Sequence, residues 1–208
     1  KVNLILITGI SKSGKSTISK EIIKSKEYSL LQTDSIKYLS KANGFEIANT
    51  AIAQSYLKLP YLNSLNIDNT IKVILGYEFS CEVLLTDTKK IIREYLNLSK
   101  DLVVEGISLN PNLLNSFIEE LRNENINVIP VFLYINGENH KKNIANYSAS
   151  IVDNSYHDLF NNDQKYSDYL TVQDYLKEIS EINNWNVIEV KNGNINNAIR
   201  LILDKIDE

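Results

Sequence analysis

Apolar positions along this chain follow two periods in turn. Short runs with strand length and β-type composition occur at Val2 to Ile7, Tyr28 to Gln32, Leu102 to Glu105, Val128 to Ile135 and Asn186 to Val190. Several are apolar at nearly every position, as expected of strands covered on both faces. Between them the apolar residues fall three or four apart. Lys15 to Ser25 reads as a helix, and Asn110-Pro111 opens another with a capping side chain and a first-turn proline. Leu114, Phe117, Ile118 and Leu121 line one face of that second helix, and Ile195, Ile199, Ile202 and Ile206 mark a helix near the C-terminus. The alternation predicts an α/β protein with a central five-stranded parallel sheet flanked by helices.

Two stretches exceed simple crossovers. Residues 36–99 carry a long amphipathic pattern at Cys81, Leu84, Leu85, Thr88, Ile91, Ile92 and Tyr95, and read as a helical insertion on the substrate side. Residues 137–167 are polar, include His140, Lys141, Lys142 and Lys165, and read as a partly helical lid. With no repeat and no low-complexity linker, residues 1–208 are expected to form one domain.

The first strand runs into Gly9-Ile10-Ser11-Lys12-Ser13-Gly14-Lys15-Ser16, which fits G-x-x-x-x-G-K-[ST] completely, with Thr17 following. Gly9 and Gly14 permit turns that a Cβ would hinder, so successive N–H groups can converge on phosphate oxygens. The helix from Lys15 adds its positive end. Lys15 is placed to reach the β- and γ-phosphates, and the Ser16 hydroxyl to ligate magnesium. Lys12 holds a variable loop position and reads as solvated. The motif in its strand–loop–helix context predicts a P-loop NTPase fold binding ATP or GTP with Mg2+.

Two acids fall at expected strand ends, where the crevice of an open α/β sheet lies. Asp34 follows Tyr28–Thr33 and could orient an attacking hydroxyl as a general base, or serve as the N-cap of a helix from Ser35 to Lys41. Glu105 could hold magnesium or its water shell, or be an incidental loop acid. His140 and His157 have no metal-ligand spacing and read as surface or lid residues.

Composition narrows the partners. The formal charge is −4, from 22 basic and 26 acidic residues, which argues against a nucleic-acid binder with a broad positive surface. The 12 tyrosines lack the interleaved basic residues of a base-stacking surface. The single cysteine, Cys81, excludes an intrachain disulfide and reads as a core residue of a cytoplasmic protein. No apolar run approaches a membrane span. The opening segment has no cleavage site, and the missing initiator Met points to a trimmed chain.

Several segments together resemble the 2-phosphoglycerate kinase family and its P-loop kinase relatives. They are "LLQTDSIKYLSKA" (Leu30 to Ala42), "SYLKL" (Ser55 to Leu59), "ILGYEFSCEVL" (Ile74 to Leu84), "LVVEGISLNP" (Leu102 to Pro111) and the run from Lys165 to Leu203. The resemblance implies a nucleoside-monophosphate-kinase-like fold, ATP and Mg2+, and transfer to a small-molecule acceptor. It further implies that Gly9 to Ser16 bind phosphate, Asp34 faces the acceptor and Glu105-Gly106 lie beside the metal. The family pattern has arginine at Lys37 and histidine at Ser108, and its lid is rich in arginine, whereas here none lies between Arg122 and Arg200. Lys141, Lys142 or Lys165 would have to replace the lid arginines, and adenine would rest near Lys191 to Asn194. Other readings are a nucleoside, nucleotide-sugar or RNA-end kinase, a nucleotide-dependent switch or ATPase, and a binder without catalysis.

Overall fold

The computed structural model of the chain describes residues 2–42, 44, 52–150, 163–191 and 195–206. Parts of the expected insertion and lid, His157, and residues 192–194 of the expected adenine loop lie outside these.

Five strands form one parallel sheet: β1 (Asn3–Thr8), β2 (Ser29–Gln32), β3 (Leu102–Glu105), β4 (Asn127–Tyr134) and β5 (Asn186–Glu189), in the order β2-β3-β1-β4-β5. β1 is central, with β3 on one side and β4 on the other. The connections from β1 to β2 and from β3 to β4 therefore leave in opposite directions, which opens a crevice at the carboxyl ends of the strands. All five expected strands occur, each shifted by no more than one residue at either end.

Alternation along β1 divides the core. Leu4 and Leu6 enter one buried cluster with Phe117, Ile118 and Leu121 of α5 (Pro111–Asn123). Ile5 and Ile7 enter another with Ile18 and Ile22 of α1 (Lys15–Ser25) and Ala198 and Ile202 of the C-terminal helix α8 (Ile195–Asp204). Burial on this scale is worth about 1.5–3 kcal/mol for each large apolar side chain, before chain entropy is counted. As expected, Asn110 caps α5, its side chain accepting from the N–H groups of Asn112 and Leu113, with Pro111 in the first turn.

Between β2 and β3 lie α2 (Thr33–Ala42), a 3-10 segment (Ile52–Lys58), the short α3 (Pro60–Ser64) and the 29-residue α4 (Asn69–Asn97). The far half of α4 places Leu84, Ile92 and Leu96 in the β1–α5 cluster. Its first half places Val73, Tyr77 and Cys81 in a third cluster, with Tyr56, Phe132, and Val172 and Leu176 of α7 (Asp163–Ile182). Cys81 is buried and free, as a core residue. After β4, α6 (Gly137–Ser150) leads toward α7. Among the described residues no helix is long and apolar enough to cross a membrane.

Gly106, just past β3, fixes how closely α2 approaches that strand. Its φ is +159°, and a Cβ there would lie 1.8 Å from Thr33 Oγ1. Gly106→Ala is expected to cost about 2–4 kcal/mol and to lower the melting temperature by roughly 5–15 °C. Gly137→Ala, where a Cβ meets only the Tyr166 hydroxyl at 3.6 Å, should change little in the same thermal melts.

Candidate active site

The Gly9–Ser16 loop joins β1 to α1 at the carboxyl edge of the sheet. Ile10 is fully buried in the third cluster and anchors the loop from beneath. The turn closes by a bond from the Ser13 N–H to the Ile10 carbonyl at 3.2 Å. Gly14, at φ +100°, is the left-handed residue from which α1 starts. That conformation suits glycine and leaves the first N–H groups of α1 facing the loop. Lys15 and Ser16 open the helix, and Thr17 is exposed one residue on.

Two lysines and two acids meet here. Lys15 is half-buried, and its ammonium donates to the Ile10 carbonyl at 2.9 Å. Burial pushes its pKa down, while the charges of Glu105 and then Asp34 pull it back up. Lys12, at φ +64°, is half-buried too. Its pKa falls to about 8, chiefly through burial and then through Lys15, with Asp34 opposing. Lys12, read as solvated, is therefore only partly so.

Glu105 is 4% exposed at the end of β3, level with Ile7 of β1 and Gln32 of β2. Its Oε1 accepts from the Ser16 hydroxyl at 2.7 Å and from the Gln32 side-chain amide at 2.7 Å. Among the described residues no three His, Cys, Asp or Glu side chains gather as a metal cage. The hard oxygens of Ser16 and Glu105 nonetheless suit a magnesium ion whose other ligands are phosphate and water.

Asp34 is exposed in the first turn of α2, which begins at Thr33, directly after β2. It therefore stands inside the helix and does not cap one starting at Ser35. An acid there is favoured by the positive helix end. Lys37 follows one turn later, half-buried.

The remaining lysines have other partners. Lys142 pairs with Glu138 at 2.7 Å on the outside of α6, Lys141 lies 5.3 Å over the ring of Tyr166, and Lys165 is half-buried near the start of α7. His140 is a correction. It is fully buried, and its Nε2 lies 2.7 Å from the Ser11 carbonyl. Asn143, one turn on, donates to the Lys12 carbonyl at 3.0 Å. Gln32, His140 and Asn143 were missed in the sequence because each acts through a partner at least 73 positions away.

No protein-family model and no curated protein matches the chain. Solved structures do. A gluconokinase from Sinorhizobium meliloti 1021 is 13% identical with a TM-score of 0.54, covering 99% of this chain and 91% of its own. A shikimate kinase from Aquifex aeolicus vf5 is 15% identical at 0.52, covering 98% and 96%. A deoxyadenosine kinase from M. mycoides with bound dATP is 18% identical at 0.51, covering 99% and 100%. The chain has the P-loop kinase fold. At these identities the likeness is one of fold, and the chemistry must be argued from this chain's own residues.

The depressed pKa of Lys12 can be measured directly. In a pH titration followed by 13C NMR of the lysine side chains, one resonance should titrate near pH 8 and disappear in Lys12→Gln. In Lys15→Gln it should move upward, because a neighbouring positive charge has gone.

Proposed function

We propose that the protein is an ATP- and magnesium-dependent phosphotransferase that moves the γ-phosphoryl group of ATP to a hydroxyl of a small-molecule acceptor. The observation that carries this reading is the convergence on one crevice of a phosphate-type loop at a helix N-terminus, Lys15 and Ser16, a buried Glu105 and an exposed Asp34. The neighbours named as kinases of gluconate, shikimate and deoxyadenosine support it through the shared fold.

In this reading the amides of residues 9–17 and the Lys15 ammonium hold the phosphates, oriented before reaction and half-shielded from water. Ser16 and Glu105 would hold the magnesium ion, which would neutralise charge on the phosphates during transfer. Asp34 accepts a hydrogen bond from the acceptor hydroxyl, aims it in line with the γ-phosphorus and takes its proton. The new O–P bond forms as the bond to ADP breaks. Lys15 and Lys12 meet the negative charge on the transferring group.

All three arginines are committed elsewhere: Arg93 to Glu120 and Glu124, Arg122 to Glu119, and Arg200 to Asp204, in exposed pairs. Lysine must therefore supply the cationic chemistry, without the bidentate grip of a guanidinium. This weighs against a phosphorylated acceptor such as 2-phosphoglycerate and toward one whose hydroxyls are read by neutral groups. An exposed carboxylate at Asp34, beside the loop and free to meet a hydroxyl, also favours an acceptor over a switch.

The test is ADP release from MgATP, coupled to mass spectrometry, across a panel of phosphorylated acids, sugar acids, nucleosides and nucleotide sugars. A product heavier by one phosphate is expected. Its rate should fall by about two orders of magnitude or more in Lys15→Ala and in Asp34→Asn. Full activity in Asp34→Asn would remove that residue from the mechanism, and ADP release independent of any acceptor would favour an ATPase.

A further inference from the structure

When the N–H groups of a phosphate loop converge inward, its carbonyl groups are turned outward and need donors of their own. Here α6 provides two of them. His140 and Asn143 are three residues apart on one helix face, and they meet the carbonyls of the consecutive residues Ser11 and Lys12 at 2.7 and 3.0 Å. A carbonyl only accepts, so the His140 proton sits on Nε2. Burial lowers the pKa of this imidazole and so does Lys15, against the bond to Ser11.

The helix that carries this pair is itself fixed in register. The Asn136 side chain accepts from the Asn139 N–H at 2.9 Å, capping α6 just beyond β4. Gln173 of α7 holds both backbone groups of Ile135, at 3.1 and 3.0 Å. The His140 ring stacks on Tyr166 with centroids 5.6 Å apart, and the Tyr166 hydroxyl donates to the Gly137 carbonyl at 3.2 Å.

We infer that His140 and Asn143 are positioning residues that clamp the outer side of the Gly9–Ser16 loop, so that its inward amides are set for phosphate before a ligand arrives. The inference rests on the proposed phosphate site. It assigns to α6 a role that composition alone would have given to its lysines. Preorganising a loop raises affinity by removing the ordering cost from the binding step. Without the clamp, the loop pays that cost when phosphate binds. Lys12, whose carbonyl is one of the two clamped, keeps its left-handed conformation and its placement beside Lys15 through the same contact.

The experiment uses the full chain and titrates magnesium pyrophosphate and MgADP by calorimetry, beside thermal melts without ligand. His140→Phe keeps a ring to stack on Tyr166 but cannot donate. His140→Gln restores an N–H donor, and Asn143→Asp keeps the shape but sets an acceptor against a carbonyl. His140→Phe and Asn143→Asp should each weaken both ligands about tenfold, and His140→Gln should recover most of the loss. Should His140→Phe fail to fold, the half-buried Asn143 still reads the clamp. Wild-type affinity in Asn143→Asp and in either folded His140 variant, whatever their melting temperatures, would reduce these contacts to packing and overturn the inference. Lys15→Ala separates the two levels of the argument. If it abolishes binding while the clamp variants do not weaken it, the phosphate site stands and the clamp falls. If the wild-type protein binds neither ligand, both fall.

Discussion

A buried carboxylate at the end of β3 ties the site together. Glu105 is nearly inaccessible, and an isolated ion there would cost several kcal/mol in lost hydration. It is tolerated because one oxygen accepts from Ser16 at the start of α1 and from Gln32 at the end of β2, while the Lys15 charge lies close by. Three chain segments far apart in sequence are thus held to one atom. Remove the carboxylate, and Ser16 and Gln32 lose their common acceptor. The crevice would keep its strands but lose its alignment.

The sheet makes that convergence possible. A central β1 with neighbours on both sides brings β2 and β3 to one flank of the loop and β4 to the other. Close approach then depends on absent side chains, as at Gly106, where Thr33 occupies the space a Cβ would need. α4 runs through two of the buried clusters, so the segment between β2 and β3 is joined to the sheet by one continuous element. Buried Asp168 of α7 adds a polar tie, accepting from the Tyr56 hydroxyl at 3.1 Å, from Asn69 at 3.3 Å and from Gln164 at 2.8 Å. The Tyr56 hydroxyl, desolvated and beside that carboxylate, has its pKa pushed up to about 12 and remains a donor.

Legibility followed the range of the interactions. The strands, α1 and the capped start of α5 were readable because strand periodicity, the glycine-lysine loop and Asn110-Pro111 are local signals. The Gly9–Ser16 motif was readable for the same reason. For Asp34 the alternative reading as a cap of a helix from Ser35 fails, because no local signal says that α2 starts at Thr33 with no intervening loop after Gln32. Gln32 looked like an ordinary strand-end residue, and its meaning lies in register with Glu105. His140 looked like a surface histidine within a polar helix. Its burial depends on Ser11, 129 positions away, and on Tyr166 across the start of α7. Periodicity records which face of a helix is apolar, but it does not record a polar side chain buried for the sake of one carbonyl.

The scarcity of arginine makes geometry matter more here than charge count. A guanidinium brings a planar fork that orients itself on phosphate, whereas an ammonium is a point charge on a flexible stem. A site built from lysine must take its orientation from elsewhere. Here the backbone can supply it: Ile10 anchors the loop from below, the α1 terminus sets the amides, and two donors from α6 hold the outer carbonyls. Placing Lys12 beside Lys15 also has an electrostatic cost, which falls on Lys12: burial lowers its pKa first and the Lys15 charge second. In the proposed site, phosphate oxygens between the two ammonium groups would offset that repulsion. In such a design the scaffold around the loop has to be stiff enough to hold two like charges side by side, and that stiffness does the orienting that a planar cation would otherwise do.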